Sequence, residues 1–255
     1  MRIVIKVGTS SLTHETGRLN IRKMEQFVKV LSDVKNAGHE VILVSSGAIA
    51  MGVGKLNLPG RPTDLPGKQA AAAVGQCELM YTYDKMFTEF HHTVAQILLT
   101  AEDVDDPGRR LNFENTLNAL LSMGALPVIN ENDTVSTSEI TLGDNDSLAA
   151  TVTVCSGADL LVLFSDIDGL YDKDPHRFPD AELIPEIRAV TPEIEGKAGG
   201  AGSGRGTGGM VTKLNAAKRV MESSRDMVIM NSDRPEALYE VLEGSYSGTR
   251  FIGRK

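Results

Sequence analysis

The stretch from Pro127 to Leu148 reads P-V-I-N-E-N-D-T-V-S-T-S-E-I-T-L-G-D-N-D-S-L. Its apolar opening, Leu126 to Ile129, predicts a buried strand that stops at Asn130-Glu131-Asn132-Asp133. Val135 to Leu142 then alternates polar and apolar residues, as a short hairpin would. Gly143-Asp144-Asn145-Asp146 leads into Ser147-Leu148-Ala149-Ala150, a helix start. Two clusters of Asn and Asp therefore stand at element ends on either side of one hairpin. Singly, each is ordinary turn and helix-cap chemistry. Together they mark the place where an α/β protein grips a small polar ligand.

Working outward, the pattern alternates strand and helix. Ile3 to Val7 is a β-branched strand carrying Lys6, followed by Gly8-Thr9-Ser10-Ser11, whose backbone N–H groups suit a phosphate. Asn20 to Lys35 has apolar residues at helical spacing, and Gly38 closes that helix. Glu40 to Val44 is a continuous apolar strand, and Ser45-Ser46-Gly47-Ala48 turns it into a helix at Ile49. A strand, small residues and a helix N-terminus make an anion-binding arrangement. Gly52 to Pro66, with three prolines and three glycines, reads as a long loop. Helix 67–90, strand 93–100 and helix 113–123 lead to the opening stretch.

Beyond it, helix Ser147 to Ser156 precedes strand Asp159 to Phe164, which ends in Ser165-Asp166-Ile167-Asp168-Gly169. Leu183 to Ile187 is a short strand, and Glu193 begins a polar, irregular region. Gly206-Thr207-Gly208-Gly209-Met210-Val211-Thr212-Lys213 then runs straight into an amphipathic helix. A lysine near a helix N-terminus opposes the macrodipole, and a bound phosphate would give it a reason to be there. Strand 227–230, helix 235–242 and strand 249–252 complete the chain. The expected fold is α/β, a three-layer αβα sandwich with a mainly parallel central sheet.

Composition narrows the function. Hydrophobic residues make up 41% and charged residues 24% of the 255 positions, as in a globular chain with a large core. The net charge of −8 argues against nucleic acid or an anionic membrane as the main partner, although it leaves anionic small molecules open. No run approaches a membrane span, and the N-terminus lacks the apolar core of a signal peptide, so the expected location is cytoplasmic. Cys77 and Cys155 have no metal or redox spacing and read as reduced core thiols. No metal-ligand spacing involves His91 or His92.

Among phosphate-binding motifs, the Walker-A and protein-kinase signatures are absent. Gly204, Gly206 and Gly209 match a dinucleotide fingerprint formally, but no strand precedes them. What remains is phosphate-compatible loops at Lys6–Gly8, Ser46–Gly47 and Gly206–Lys213 around an Asn/Asp pocket. Phosphoryl transfer is mostly positioning and charge neutralisation, which two lysines held by an aspartate would supply.

Lys6-Val7-Gly8-Thr9-Ser10, Ser45 to Ile49, Pro127 to Asp133, Gly143 to Asp146 and Gly206 to Lys213 together resemble the amino acid kinase family. Within it, the I-N-E-N-D and G-D-N-D pair resembles the glutamate 5-kinase branch. The resemblance implies ATP-dependent phosphorylation of the γ-carboxylate of L-glutamate to γ-glutamyl phosphate, the first step of proline synthesis. It makes Lys6, Lys213 and Asp146 catalytic, with Asp146 orienting both lysines. Ser46, Asp133 and Asn145 would bind glutamate, supported by Gly47 and Asn130. Lys6, Gly8, Ser165, Asp166, Thr207, Gly208, Gly209, Met210, Val211, Thr212 and Lys213 would bind ATP. Mg²⁺ would ride on the ATP phosphates, with no metal site of the protein's own.

The resemblance further implies one kinase domain over 1–255. Its N-terminal lobe, about 1–155, would take glutamate, and its C-terminal lobe, about 156–255, would take ATP. A C-terminal PUA domain, common in that branch, is not expected. Proline is the expected feedback inhibitor, the assembly a homo-oligomer (dimer or tetramer), and the product's recipient a glutamate-5-semialdehyde dehydrogenase. Acetylglutamate kinase and aspartokinase chemistry are the nearest rivals. Asp133 argues for a free α-amino group on the substrate, because an acetylated one would not need that charge.

Overall fold

A computed structural model describes every residue except 15–17, 137–144, 176, 199–208, 246–247 and 255. The first half contains β1 (Arg2–Val7), α1 (Thr9–Leu12), α2 (Ile21–Asn36), β2 (Glu40–Ser45), α3 (Ala48–Lys55) and α4 (Leu65–Thr88). It continues with β3 (Val94–Leu99), α5 (Ala101–Asp105), α6 (Pro107–Ser122), β4 (Leu126–Glu131) and α7 (Asp146–Ser156). The second half contains β5 (Leu160–Ser165), β6 (Glu186–Ile187), α8 (Pro192–Ala198), α9 (Met210–Glu222), β7 (Asp226–Asn231), α10 (Ala237–Leu242) and β8 (Thr249–Phe251).

The strands form one sheet in the order β3-β4-β2-β1-β5-β7-β8-β6. All pairings are parallel except β7 with β8, which is antiparallel. From β1 the chain builds outward through β2 to β3 and β4, then crosses back to place β5 on the other side of β1. The carboxyl ends of β1, β2, β4 and β5 therefore open on the same edge, around the point where the winding reverses. In open α/β sheets that is where ligands bind.

Strand periodicity assigns the two faces. Val4, Ile42, Val44, Ile129 and Leu163 point to one side and pack with residues of α6, α7 and α9. Ile3, Ile5, Leu43, Val128 and Val162 point to the other and pack with α2, α4 and α10. The result is the expected αβα sandwich. Lys6 shares the parity of Val4, so its side chain goes to the α7/α9 layer. Ser45 and Asn130 share the parity of Leu43 and Val128, so theirs go to the α4 layer.

Several expectations need correction. The segment expected to be a loop from Gly52 is helical to Lys55, and α4 starts at Leu65, so the connection is shorter than the glycines and prolines suggested. Gly52 serves packing instead, together with Gly75 of α4. A Cβ on Gly52 would lie 1.8 Å from the Ala71 carbonyl oxygen, and one on Gly75 1.7 Å from that of Ala48. Only two hydrogens allow the α3 and α4 backbones to approach so closely. Leu65 and Pro66 occupy the first turn of α4, where a missing N–H costs nothing, and Asp64 caps it by accepting from Gly67 N.

The polar region after Thr191 forms α8 rather than an irregular segment, and the sixth helix begins at Pro107, six residues before the apolar pattern suggests. Its N-cap, Asp106, accepts from Arg109 N at 2.8 Å. Cys77 is exposed on α4, not a core thiol, because the neighbouring position Gln76 faces inward instead. Val135 and Ser136 lie in a turn closed by hydrogen bonds to the Asn132 carbonyl, and the remainder of the expected hairpin falls outside the described residues. Among the described residues no helix is long and apolar enough to cross a membrane.

Candidate active site

Three helices deliver their N-termini to the carboxyl edge of the sheet: α3 after β2, α7 before β5, and α9 ahead of β7. None has a side chain capping its first turn. The other long helices, α2, α4 and α6, are capped by Asn20, Asp64 and Asp106. The difference leaves donor N–H groups at the site edge for a bound anion and removes them elsewhere. Gly47 is the N-cap of α3 at φ 103, a left-handed conformation that lets β2 turn at once into the helix.

A buried charge triad sits between these ends. Asp146, the first residue of α7, is fully buried and uses a different carboxylate oxygen for each of two lysines. Lys6 Nζ lies 2.7 Å from Oδ1, and Lys213 Nζ lies 3.1 Å from Oδ2. Thr212 Oγ1 also donates to Oδ2 at 3.1 Å. Both lysines are about as buried as core side chains, at 7% exposure. Burial by itself would raise the Asp146 carboxyl, but the two ammonium groups outweigh it and hold the carboxyl well below the usual range, at about 2. Among the described residues two cations face one anion, and both lysines are held in fixed positions. Gly8 closes the same corner, since a Cβ there would stand 3.9 Å from Lys6 Nζ.

A neutral network adjoins it on the β2–β4 side. Asn145 Nδ2 faces the Ser45 carbonyl at 2.7 Å, Asn130 Oδ1 at 2.8 Å and Ser46 Oγ at 3.1 Å. Asn130 Oδ1 also accepts from Glu131 N at 2.9 Å, and its Nδ2 donates to Gln76 Oε1 at 2.8 Å. Below, Ser45 Oγ donates to the Ser46 carbonyl and meets Tyr83 OH at 2.8 Å. Burial pushes the Tyr83 hydroxyl's pKa far up, and because the Ser45 proton goes to the Ser46 carbonyl, Tyr83 is the donor to Ser45 Oγ.

The sequence-derived candidates thus fall into two groups that the fold assembles: Lys6, Asp146, Thr212 and Lys213, and Ser46, Gly47, Asn130 and Asn145. Gly209 and Met210 open α9 beside the first group, while Val211 is 52% exposed and points away from the core. Ser165 ends β5 with its hydroxyl donating to Asp166 Oδ1 at 3.1 Å. Asp133 is half-buried in the turn after β4. Thr207 and Gly208 lie outside the described residues. Among the described residues no group of three or more His, Cys, Asp or Glu is placed to hold a metal ion. Sequence reading missed Ser45, Gln76 and Tyr83. The signal for the last two is a polar residue and an aromatic on the buried α4 stripe with Ala72 and Leu79.

The family model for the amino acid kinase family matches residues 1–231. Glutamate 5-kinase of Clostridium perfringens is 50% identical over 258 residues, covering 100% of this chain and 96% of that protein. Glutamate 5-kinase of Carboxydothermus hydrogenoformans is 52% identical over 255 residues, covering 100% of this chain and 68% of that one. Among solved structures, carbamate kinase from Giardia lamblia bound to AMP-PNP superposes with a TM-score of 0.71 at 15% identity, covering 99% of this chain and 98% of that one. UMP kinase from Bacillus anthracis superposes at 0.68 and 15% identity, covering 100% and 96%. The fold is therefore shared well beyond recognisable sequence likeness, and the chain belongs to the amino acid kinase family, in its glutamate 5-kinase branch.

Proposed function

We propose that this protein transfers the γ-phosphoryl group of MgATP to the γ-carboxylate of L-glutamate, giving γ-glutamyl phosphate and ADP. The observation that carries this reading is the Lys6–Asp146–Lys213 triad at the meeting point of three uncapped helix N-termini. A carboxylate oxygen of glutamate attacks the γ-phosphorus, a new O–P bond forms, and the bond to the β-phosphate oxygen breaks. No base is required, because the acceptor is already an anion at neutral pH. The difficulty is bringing two anions together. Lys6 and Lys213, with the helix N–H groups, offset that repulsion and stabilise charge spreading over the moving phosphoryl group.

Asp146 acts through the lysines. Its two oxygens hold the two ammonium groups, and Mg²⁺ enters with the MgATP substrate, bound through the phosphates. Ser46, Gly47, Asn130, Asp133 and Asn145 take the acceptor amino acid, Asp133 pairing with its α-ammonium group. Ser165, Asp166 and 207–213 take the nucleotide. Acceptor groups thus come from residues before about 155 and most nucleotide groups from those after it, across one continuous sheet. Inhibition by proline, which carries the same α-amino acid head as glutamate, belongs to this reading. So do a cytoplasmic location, a homo-oligomer and delivery of the product to a glutamate-5-semialdehyde dehydrogenase.

The test is ADP release with MgATP and either L-glutamate or N-acetyl-L-glutamate, with hydroxylamine trapping the acyl phosphate. Turnover with free glutamate alone is expected. Turnover only with the acetylated substrate would overturn the Asp133 assignment, and silence with both would overturn the reading.

A further inference from the structure

The neutral network is directional, and two backbone groups set its direction. The Ser45 carbonyl can only accept, so the Asn145 atom 2.7 Å from it is the NH₂ nitrogen. The Glu131 N–H can only donate, so the Asn130 atom 2.9 Å from it is the carbonyl oxygen. That oxygen takes the Asn145 NH₂ at 2.8 Å, which leaves the Asn130 NH₂ to face α4. There Gln76 Oε1 accepts it at 2.8 Å, and Gln76 Nε2 points on to Gln96 Oε1 on β3 at 3.4 Å. Four amides, Asn145, Asn130, Gln76 and Gln96, thus run head to tail across the α4 side of the sheet. Gln76 and Asn130 are buried, at 9% and 2% exposure, so water is poorly placed to replace a lost partner.

We propose that Gln76 is a positioning residue for the acceptor substrate: it holds Asn130 in place, so that Asn130 Oδ1 and the Ser45 carbonyl together keep the Asn145 carbonyl oxygen toward the cleft. With the two hydrogens of its NH₂ committed to the Ser45 carbonyl and Asn130 Oδ1, Asn145 presents its carbonyl oxygen to a ligand, so that position accepts from a donor group and repels a carboxylate. Without Gln76 Oε1, the Asn130 NH₂ is left buried and unpaired. The Asn130 side chain then loses the bond that ties it to α4, and the acceptor it offers Asn145 is held less firmly. Gln76 touches no substrate itself. The inference rests on the acceptor assignment made above.

Gln76→Met keeps the volume and helix preference but removes the acceptor oxygen, whereas Gln76→Glu retains it. Calorimetric titration with L-glutamate and steady-state assays in glutamate and in MgATP are run on wild type and both variants, with thermal unfolding alongside. Gln76→Met is expected to raise the glutamate Kd and KM about tenfold. Its kcat and MgATP KM stay within about threefold of wild type, and Gln76→Glu recovers most of the lost affinity. Unchanged glutamate affinity in Gln76→Met, or equal losses for glutamate and MgATP that follow a lowered Tm, overturns the proposal. So does failure of Gln76→Glu to recover affinity. Wild type that binds glutamate without turnover counts against the kinase reading alone, and the calorimetry still decides the role of Gln76. Wild type that does not bind glutamate overturns both.

Discussion

Asn145 and Asp146 are chain neighbours at the start of α7, yet each anchors a different kind of site. Asp146 holds two buried ammonium groups, and the contacts described at its carboxylate are charge-assisted. Asn145 heads a network of neutral amides and hydroxyls that reaches down to α4 and β3. Charge concentrated in a dry pocket is costly to arrange and strong when charge moves, which suits the reacting centre. Neutral amides carry little field but fixed direction, which suits recognition of an amino acid. One helix start serves both because successive residues at its N-terminus point to different sides of the sheet edge. The two groups should therefore fail differently.

The largest loss is expected for Asp146→Asn. It leaves two buried cations without their anion and should lower kcat/KM by about 10³-fold or more, with a clear fall in Tm. The same change should alter acid stability. A carboxyl with a folded pKa near 2, below its ordinary 3.8, stabilises the fold when ionised. That contribution is complete above 3.8 and lost as the pH falls toward 2, so Asp146→Asn should flatten this part of a denaturation profile. Next is Lys213→Ala, with kcat down about 10²- to 10³-fold and the glutamate KM within about threefold. A selective rise in glutamate KM with kcat intact would erase the contrast between the two groups.

Gly75→Ala probes the amide side mechanically. Its methyl would fall 1.7 Å from the Ala48 carbonyl oxygen and push α4 from α3. A loss of about 3 kcal/mol and a Tm lower by about 6–12 °C are expected, with a weaker glutamate KM. Tyr83→Phe should be mildest. It removes the donor to Ser45 Oγ at a cost of about 1 kcal/mol, seen as a Tm lower by about 2–4 °C with kcat unchanged. If Tyr83→Phe instead costs kcat as heavily as Lys213→Ala, the neutral network takes part in the chemistry and the division fails.

Much of this was legible in the chain. The apolar runs at 3–7, 41–44, 126–129 and 160–164 fix a buried parallel sheet, because a strand covered on both faces has no polar side. The small residues and helix starts after those runs mark the anion-binding edge. The stretch between α3 and α4 is not legible in the same way, because a glycine that serves helix contact, such as Gly52, looks like one that serves a loop. The sixth helix begins before its apolar pattern, because residues 107–112 have no apolar stripe and owe their helical form to Pro107 and the Asp106 cap.

The sequence by itself determined the fold class, the strands and the residue types that meet a phosphate, since periodicity and local turn chemistry are properties of neighbours in the chain. The family resemblance named Lys6, Asp146 and Lys213 together, but only the tertiary structure gave their contacts, one carboxylate oxygen to each lysine, because these join residues more than sixty positions apart through strand parity and a crossover. It alone placed Gln76 and Tyr83 beneath Asn130 and Ser45. A side chain's partner across a sheet depends on register and layer, and neither is written in the residue itself.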